Sequence, residues 1–303
     1  MKKQLVTEDG IIYKKHSMSR KDKKNSILYM LPSLLGILVF FLLPFLVVIY
    51  YAVVDNPISH QFVGLDNFIH IIQNSSFQQA AKNTATFSLV AVPLAVILSL
   101  GMALILEENI PMKSQFRTFF LSPMMVPVAS IVLIWQVLFD YNGSINEFVK
   151  LLGGAPIDWF KSSYSQVVVV ILFLWKNLGY NMILFMSALS AIPRDVLEVA
   201  TLESATEFQK FWYIKLRYLS STILFVAILS LINSFKVFRE VYLLAGDYPY
   251  DSLYMLQHFM NNTFKSLDYQ KLSAAAIIMG IVMCIVIGFL FFAEDHYGRD
   301  VEG

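Results

Sequence analysis

Apolar residues along this chain gather into six long runs, 27–54, 84–106, 118–139, 166–192, 218–245 and 273–293, separated by shorter polar stretches. A helix rises about 1.5 Å per residue, so roughly 20 apolar residues cross a hydrocarbon core about 30 Å thick. Each run meets that length, and the pattern predicts an all-α integral membrane protein of about six transmembrane helices. The fifth run is interrupted by Asn233, Lys236, Arg239 and Glu240. The first is much longer than the apolar core of about 7 to 15 residues in a cleaved signal peptide, so it is expected to stay as a membrane helix. Composition agrees: 57% of the 303 residues are hydrophobic, 15% are charged and the mean hydropathy is +0.60. That is too apolar for an ordinary soluble domain.

Net charge, +1, adds little, but the placement of Lys and Arg does. Lys2, Lys3, Lys14, Lys15, Arg20, Lys21, Lys23 and Lys24 precede the first run, and Lys113, Arg117, Arg194, Lys210, Lys215, Arg217 and Arg299 fall in the alternate loops that share its side. The opposite loops hold only Lys82, Lys150, Lys161, Lys265 and Lys271. By the positive-inside rule both termini are expected in the cytoplasm. The chain then divides into a basic cytoplasmic tail (1–26), a first helix with its outer loop (27–83), a permeating core (84–293) holding a cytoplasmic loop (191–217), and a short cytoplasmic tail (294–303). A Lys cluster beside a membrane helix sets topology or meets anionic lipid, so no nucleic-acid partner is expected.

Several chemistries are excluded. The Gly-x-x-x-x-Gly-Lys phosphate loop is absent, so any ATP hydrolysis belongs to a partner. None of the five histidines lies well inside an apolar run and no His-Glu-x-x-His pair occurs, which argues against an intramembrane zinc protease or a histidine proton relay. The single cysteine, Cys284, permits no disulfide framework. No catalytic residue, metal site or cofactor motif is expected.

Residues 191–217 read as two short helices rather than a linker. Pro193 suits a first helical position, Asp195 and Glu198 place negative charge in the first turns, and Leu197, Ala200, Thr201, Ser204 and Phe208 recur at helical spacing. Thr206 with Gln209, or Ser204 with Glu207, has the spacing of a capping box, so a second helix is expected to start just after Ser204. Small residues at Ala200, Ser204 and Ala205 would let another protein approach the backbone closely.

This loop resembles the cytoplasmic signature of the permease subunits of binding-protein-dependent ATP-binding-cassette importers: Glu198-Val199-Ala200-Thr201-Leu202-Glu203-Ser204-Ala205, then Phe211, Ile214 and Leu216. Serine stands at 204 where the family favours glycine; glycine admits a positive φ that serine adopts at a cost, which predicts a turn rebuilt on a serine cap. The resemblance continues through Leu31-Pro32, Pro44, Phe62-Val63-Gly64-Leu65-Asp66-Asn67-Phe68, Asn83-Thr84, Phe116-Arg117, 132–135 with Phe139, Asn142-Gly143, 181–193 and Ser234-Phe235-Lys236-Val237-Phe238. It is similar to the sugar-type branch, and to the first permease of the pair.

The resemblance implies a second related permease, two ATPase subunits and an extracytoplasmic solute-binding protein as partners, in a prokaryotic cell membrane. Leu197, Glu198, Ala200, Glu203, Ser204, Ala205 and Phe208 would then dock an ATPase. Candidates for the solute pathway are Lys176; Trp175, Gly179 and Met182, on a face of the fourth run shared with Leu178; and Ser230, Asn233, Ser234 and Val237 on one face of the fifth. Small and polar residues also line helix contacts in membranes, and here the resemblance points to solute contact. Lys176 sits mid-run, where an unpaired lysine costs about 2.5–3.5 kcal/mol on insertion scales, so a partner or a polar cavity is expected, with Asn177 and Asn181 as neighbours. Lys236, Arg239 and Glu240 are expected nearer the outer end, snorkelling or forming an Arg–Glu pair. Tyr and Trp suit the interfacial belts as well as they suit sugar rings. The competing reading, an ion-gradient transporter, would need acidic groups at membrane depth, and Glu240 is the one plausible candidate.

Overall fold

A computed structural model describes residues 5–6, 12–13 and 20–298 apart from 57 and 109, with side chains for 27–295 save those two positions. Before the first helix, Leu5–Val6 and Ile12–Tyr13 form a short antiparallel pair, β1 and β2, the one sheet in an otherwise helical chain among the described residues. Helix α1 (Arg20–Ile37) runs through a π-helical turn, Leu38–Leu42, into α2 (Leu43–Ala52). The wide turn, in which the Leu43 N–H donates to Leu38 O, lies just before Pro44, whose ring would collide with a carbonyl four residues back in an unbroken helix. Two short elements on the far side, α3 (Asp66–Gln73) and then the start of α4 (Ser75–Glu107), follow.

The third apolar run departs from expectation. Instead of one helix over 118–139 there are two, α5 (Lys113–Met125) and α6 (Val128–Leu138), bent by 102°. Pro127 is the cause: it lacks an N–H, and it drives Val126 to an extended φ of −83° and ψ of 133°. After α7 (Ser144–Leu151) comes α8 (Ser165–Ser190), then α9 (Arg194–Leu202), α10 (Glu207–Lys210), a second π turn Phe211–Lys215, and α11 (Leu216–Tyr218). The fifth run is α12 (Ser220–Lys236) joined at Val237 to α13 (Phe238–Ala245). A 3-10 turn (Asp251–Leu253), α14 (Leu256–Lys265) and the long α15 (Tyr269–Gly298), with Cys284 on an exposed face, complete the chain. Among the described residues, five helical spans are long and apolar enough to cross a membrane, six if the bent pair counts as one crossing.

Helices α4, α8 and α12 form the centre. Ala91, Ala95 and Ala103 on α4 have no exposed surface, so backbones approach closely, as in membrane helix pairs where lipid supplies no hydrophobic drive. Polar ties cross the same interface: Ser88 to Ser234 at 2.8 Å and Asn181 to Ser230 at 3.0 Å. Model membrane systems put such bonds at about 0.6–2 kcal/mol each. Near 191–217 a cluster of Ala103, Leu106, Phe185, Leu189, Ile192 and Leu219 closes that end of the bundle. Ile71, Phe77, Phe259 and Ala274 close the other. By contrast, α1 and α2 hold Ala52 as their one buried residue among those described; α2 packs mainly on α15, and Asn67 of α3 donates to Ala52 O at 3.0 Å.

On α14, outside the long spans, His258 is fully buried beneath Phe238, 4.7 Å between rings, and accepts the Met255 N–H on Nδ1. Burial pushes its pKa down to about 4, against a weaker upward pull from Asp247. Above pH 6.5 the ring is neutral folded or unfolded and stability is unaffected. As pH falls the unfolded chain takes the proton first, so the folded state is expected to lose about 2 kcal/mol by pH 5, with the loss levelling off only near pH 4. Thermal unfolding at pH 5 and pH 7, compared with a His258→Gln variant that should lack this dependence, measures it.

Candidate functional site

Two regions carry the candidate residues. In the first, α9 begins at Arg194, one residue later than expected, with Pro193 as its N-cap. Its far end is a tight reversal: the Ser204 N–H donates to Thr201 O at 3.0 Å and the Ala205 N–H to Ala200 O at 2.9 Å, with Ser204 at φ +60°. That is the left-handed helix terminus glycine usually provides. Serine therefore keeps the glycine conformation, at a cost of about 1–2 kcal/mol, and the turn is not rebuilt on a serine cap. The cap that does form is Thr206, which bonds reciprocally with Gln209 to start α10.

The reversal projects from the bundle. Glu198, Glu203, Ser204 and Phe208 are exposed, Ala200 and Ala205 half-buried, and a notch of about 270 Å³ opens between Glu203, Ala205, Gln209 and Tyr213. Leu197 turns the other way and packs on the cluster at the bundle end. The apolar surface on offer comes instead from Val199, Leu202, Phe208 and Tyr213, of which Leu202 is 84% exposed. Lys210, 2.7 Å from Glu207, holds that carboxyl below the usual carboxylate range. Lys215 Nζ meets Glu107 Oε2 at 2.7 Å, tying the segment to the end of α4. Nothing in the local sequence pairs these two residues, which are 108 positions apart.

The second region is a cavity of about 390 Å³ between α8 and the α12–α13 span. It is lined on α8 by Leu172, Phe173, Lys176, Asn177 and Tyr180, and opposite by Leu229, Asn233, Lys236, Val237, Arg239 and Glu240. Of the eight predicted pathway residues, Lys176, Asn233 and Val237 line it. The α8 stripe is turned by about one residue, or 100°, from the predicted one. Gly179 faces Phe120, where an added Cβ would lie 1.9 Å from the carbonyl oxygen. Met182 is fully buried in the bundle, Ser230 and Ser234 are engaged with Asn181 and Ser88, and Trp175 lies 6.2 Å from Trp135, ring to ring.

Lys176 finds neither Asn177 nor Asn181 as its charge partner. It pairs with Glu240 Oε1. Asn177 instead accepts from Asn233 at 3.0 Å and donates to Phe173 O, extending the polar floor. Glu240 is 4% exposed and so neither snorkels nor pairs with Arg239; the lysine 64 residues earlier makes its burial tolerable. The sequence signal for this pair was weak: two opposite charges in separate apolar runs.

Apolar helices, a projecting helical reversal and a polar cavity between helices do not by themselves name a function, and comparison with known proteins supplies the family. Residues 91–301 match the family described as binding-protein-dependent transport system inner membrane component. The chain belongs to this family. Among relatives of this permease, the trehalose/maltose transport system permease protein MalF of Thermococcus litoralis is 29% identical over 286 residues, covering 92% of this chain and 96% of its own. The lactose transport system permease protein LacF of Rhizobium radiobacter is 26% identical, and the sn-glycerol-3-phosphate permease protein UgpA of Rhizobium meliloti 27%, each covering 94% or more of its own length. In fold the permease is similar to a chain of a bacterial ABC transporter that imports the polysaccharide alginate, with a TM-score of 0.79, 20% identity, and coverage of 94% of this chain and 99% of that one. It is a multi-pass protein of the inner membrane.

Proposed function

We propose that this permease is half of the translocation pathway of an ATP-driven importer for a carbohydrate or related solute, completed by a second related permease. An extracytoplasmic binding protein delivers the solute, and of the two ATPase subunits one docks at 191–217 of this permease, on the cytoplasmic side with both tails, and the other on the second permease. Relatives named for trehalose, maltose and lactose support the solute class. The observation that carries the reading is the reversal at Ser204, which holds Glu198, Glu203 and Phe208 out into solvent on a rigid, capped frame.

The same frame transmits movement. Leu197 is rooted in the cluster with Leu106 and Leu219, and Lys215 grips Glu107, so displacement of α9 moves the ends of α4 and α12 together. Surface carboxylates contribute only about 0–1 kcal/mol each, so Phe208 and Leu202 supply most of the docking energy and Glu198 the register. Glu198→Lys is expected to cut ATP-dependent uptake at least tenfold while ATP hydrolysis by the assembled complex persists. Uptake at the parental rate by a normally assembled complex would refute the docking assignment.

A further inference from the structure

The cavity between α8 and α12–α13 is unbalanced in charge. Lys176, Lys236 and Arg239 border it against a single carboxylate, Glu240. Glu240 is already neutralised by Lys176 through Oε1. Lys236 and Arg239 are left over, and among the described residues neither has an ion-pair partner. They lie three residues apart, with Glu240 four beyond Lys236, so the α12–α13 junction presents all three on one face. All three line the cavity, around the break at Val237.

A second observation points to a ligand. The other oxygen of Glu240, Oε2, is buried and has no hydrogen-bond partner among the described residues. Buried polar atoms in native proteins are nearly always satisfied, so an unfilled acceptor in a cavity wall marks the position of a donor. Beside it, Asn177 and Asn233 form a neutral polar patch suited to hydroxyls.

We infer that the solute of this permease is an anionic sugar, one bearing a carboxylate or phosphate group, which Lys236 and Arg239 attract while Glu240 Oε2 accepts a solute hydroxyl. The inference rests on the importer reading above and narrows its solute class. Guanidinium and ammonium groups flanking an entry raise the local concentration of an anion and penalise a neutral competitor, which gains nothing from them yet leaves them without a counter-charge. Pairing of Glu240 with Lys176 keeps the carboxylate from repelling the incoming anion, so one acid serves hydroxyl recognition without cancelling the field.

The test uses the complete importer, purified with its binding protein and partner subunits and reconstituted in phosphatidylcholine vesicles, with and without added phosphatidylglycerol. The probes are matched pairs: digalacturonate against its methyl ester, and sn-glycerol 3-phosphate against glycerol. ATP-dependent uptake of at least one anion should exceed that of its neutral counterpart tenfold or more, in either lipid. The double variant Lys236→Gln with Arg239→Gln should narrow that ratio about tenfold. Equal uptake of the neutral member, or an unchanged ratio in the variant, overturns the inference while leaving the importer reading intact. A variant effect confined to vesicles with phosphatidylglycerol overturns it in favour of a lipid headgroup at the two cations. Loss of the second permease from the purified variant overturns it in favour of an ion pair between subunits. Uptake of neither anion by an assembled complex overturns the inference, and absence of ATP hydrolysis by that complex in the presence of its binding protein rejects the importer reading itself.

Discussion

Replacing Lys176 by Met will destabilise the permease by about 3 kcal/mol and abolish uptake, whereas Lys176→Met combined with Glu240→Gln will recover most of the stability. The reason is the asymmetry of a buried ion pair. Removing one partner strands the other charge in a poorly solvated site, at a cost of about 3–5 kcal/mol, while replacing both with neutral groups is often harmless. Glu240 is 4% exposed, and the loss of Lys176 leaves both of its oxygens unpaired. The lower end of the range applies because the Lys176 side chain is 29% exposed to the cavity, where water moderates the pair. Glu240→Gln alone should cost less, since the lysine it strands is the better solvated partner. Thermal unfolding of the four proteins in detergent closes the cycle. If the double variant is as unstable as the sum of the two singles, the pair contributes no coupling and this account fails.

Gly179→Ala is the second large effect. A Cβ at 179 would stand 1.9 Å from Phe120 O and 2.4 Å from its carbonyl carbon. Those are backbone atoms of α5, so no side chain can swing aside; α5 and α8 must separate by more than an ångström. Overpacking a tight contact costs about 1–3 kcal/mol, more when backbone must move, and a loss of about 3 kcal/mol or greater is expected here. Because α5 is held against α8 at this crossing, the variant should lose folded yield and uptake together. Gly101→Ala is the internal control: nothing lies within 4 Å of its Cβ, and α4 should gain up to about 1 kcal/mol. Equal thermal stability of the two alanine variants would mean that α5 and α8 do not meet as described.

Much of the architecture was legible along the chain. Five of the six runs appear as single crossings, four of them within a few residues and the second begun earlier, at Ser75, because roughly 20 apolar residues have no better environment than a bilayer and a helix satisfies its own backbone there. The reversal near Ser204 and the restart at Thr206 were legible too, since capping is a matter between residues three apart. Pro127 carried the information for the bend between α5 and α6, yet the apolar run continued through it and concealed the break.

The pathway face was another matter. Of the residues read as a pathway, Lys176 and Asn233, singled out as polar groups at membrane depth, line the cavity with Val237, whereas Gly179 and Met182 lie on another face of α8. In water, the apolar stripe of a helix announces which way it faces. In a bilayer, lipid tails and protein interior are equally apolar, so the pattern specifies that a helix crosses and says little about its rotation. Ser230, Ser234, Asn181 and Ser88 show the consequence: side chains that read as a pathway are the bonds that hold α4, α8 and α12 together.

What the sequence by itself determined is therefore what short-range physics governs: the number of crossings, the charge bias of the loops, the helical reversal at 191–217 and the need for Lys176 to have a partner. The tertiary structure alone decided that the partner is Glu240, that Lys215 holds Glu107, that Ser204 is left-handed rather than capped, and which face of α8 meets the cavity. Each of these depends on how helices distant in sequence are rotated and packed, which close contacts and scarce polar groups settle and hydrophobicity does not.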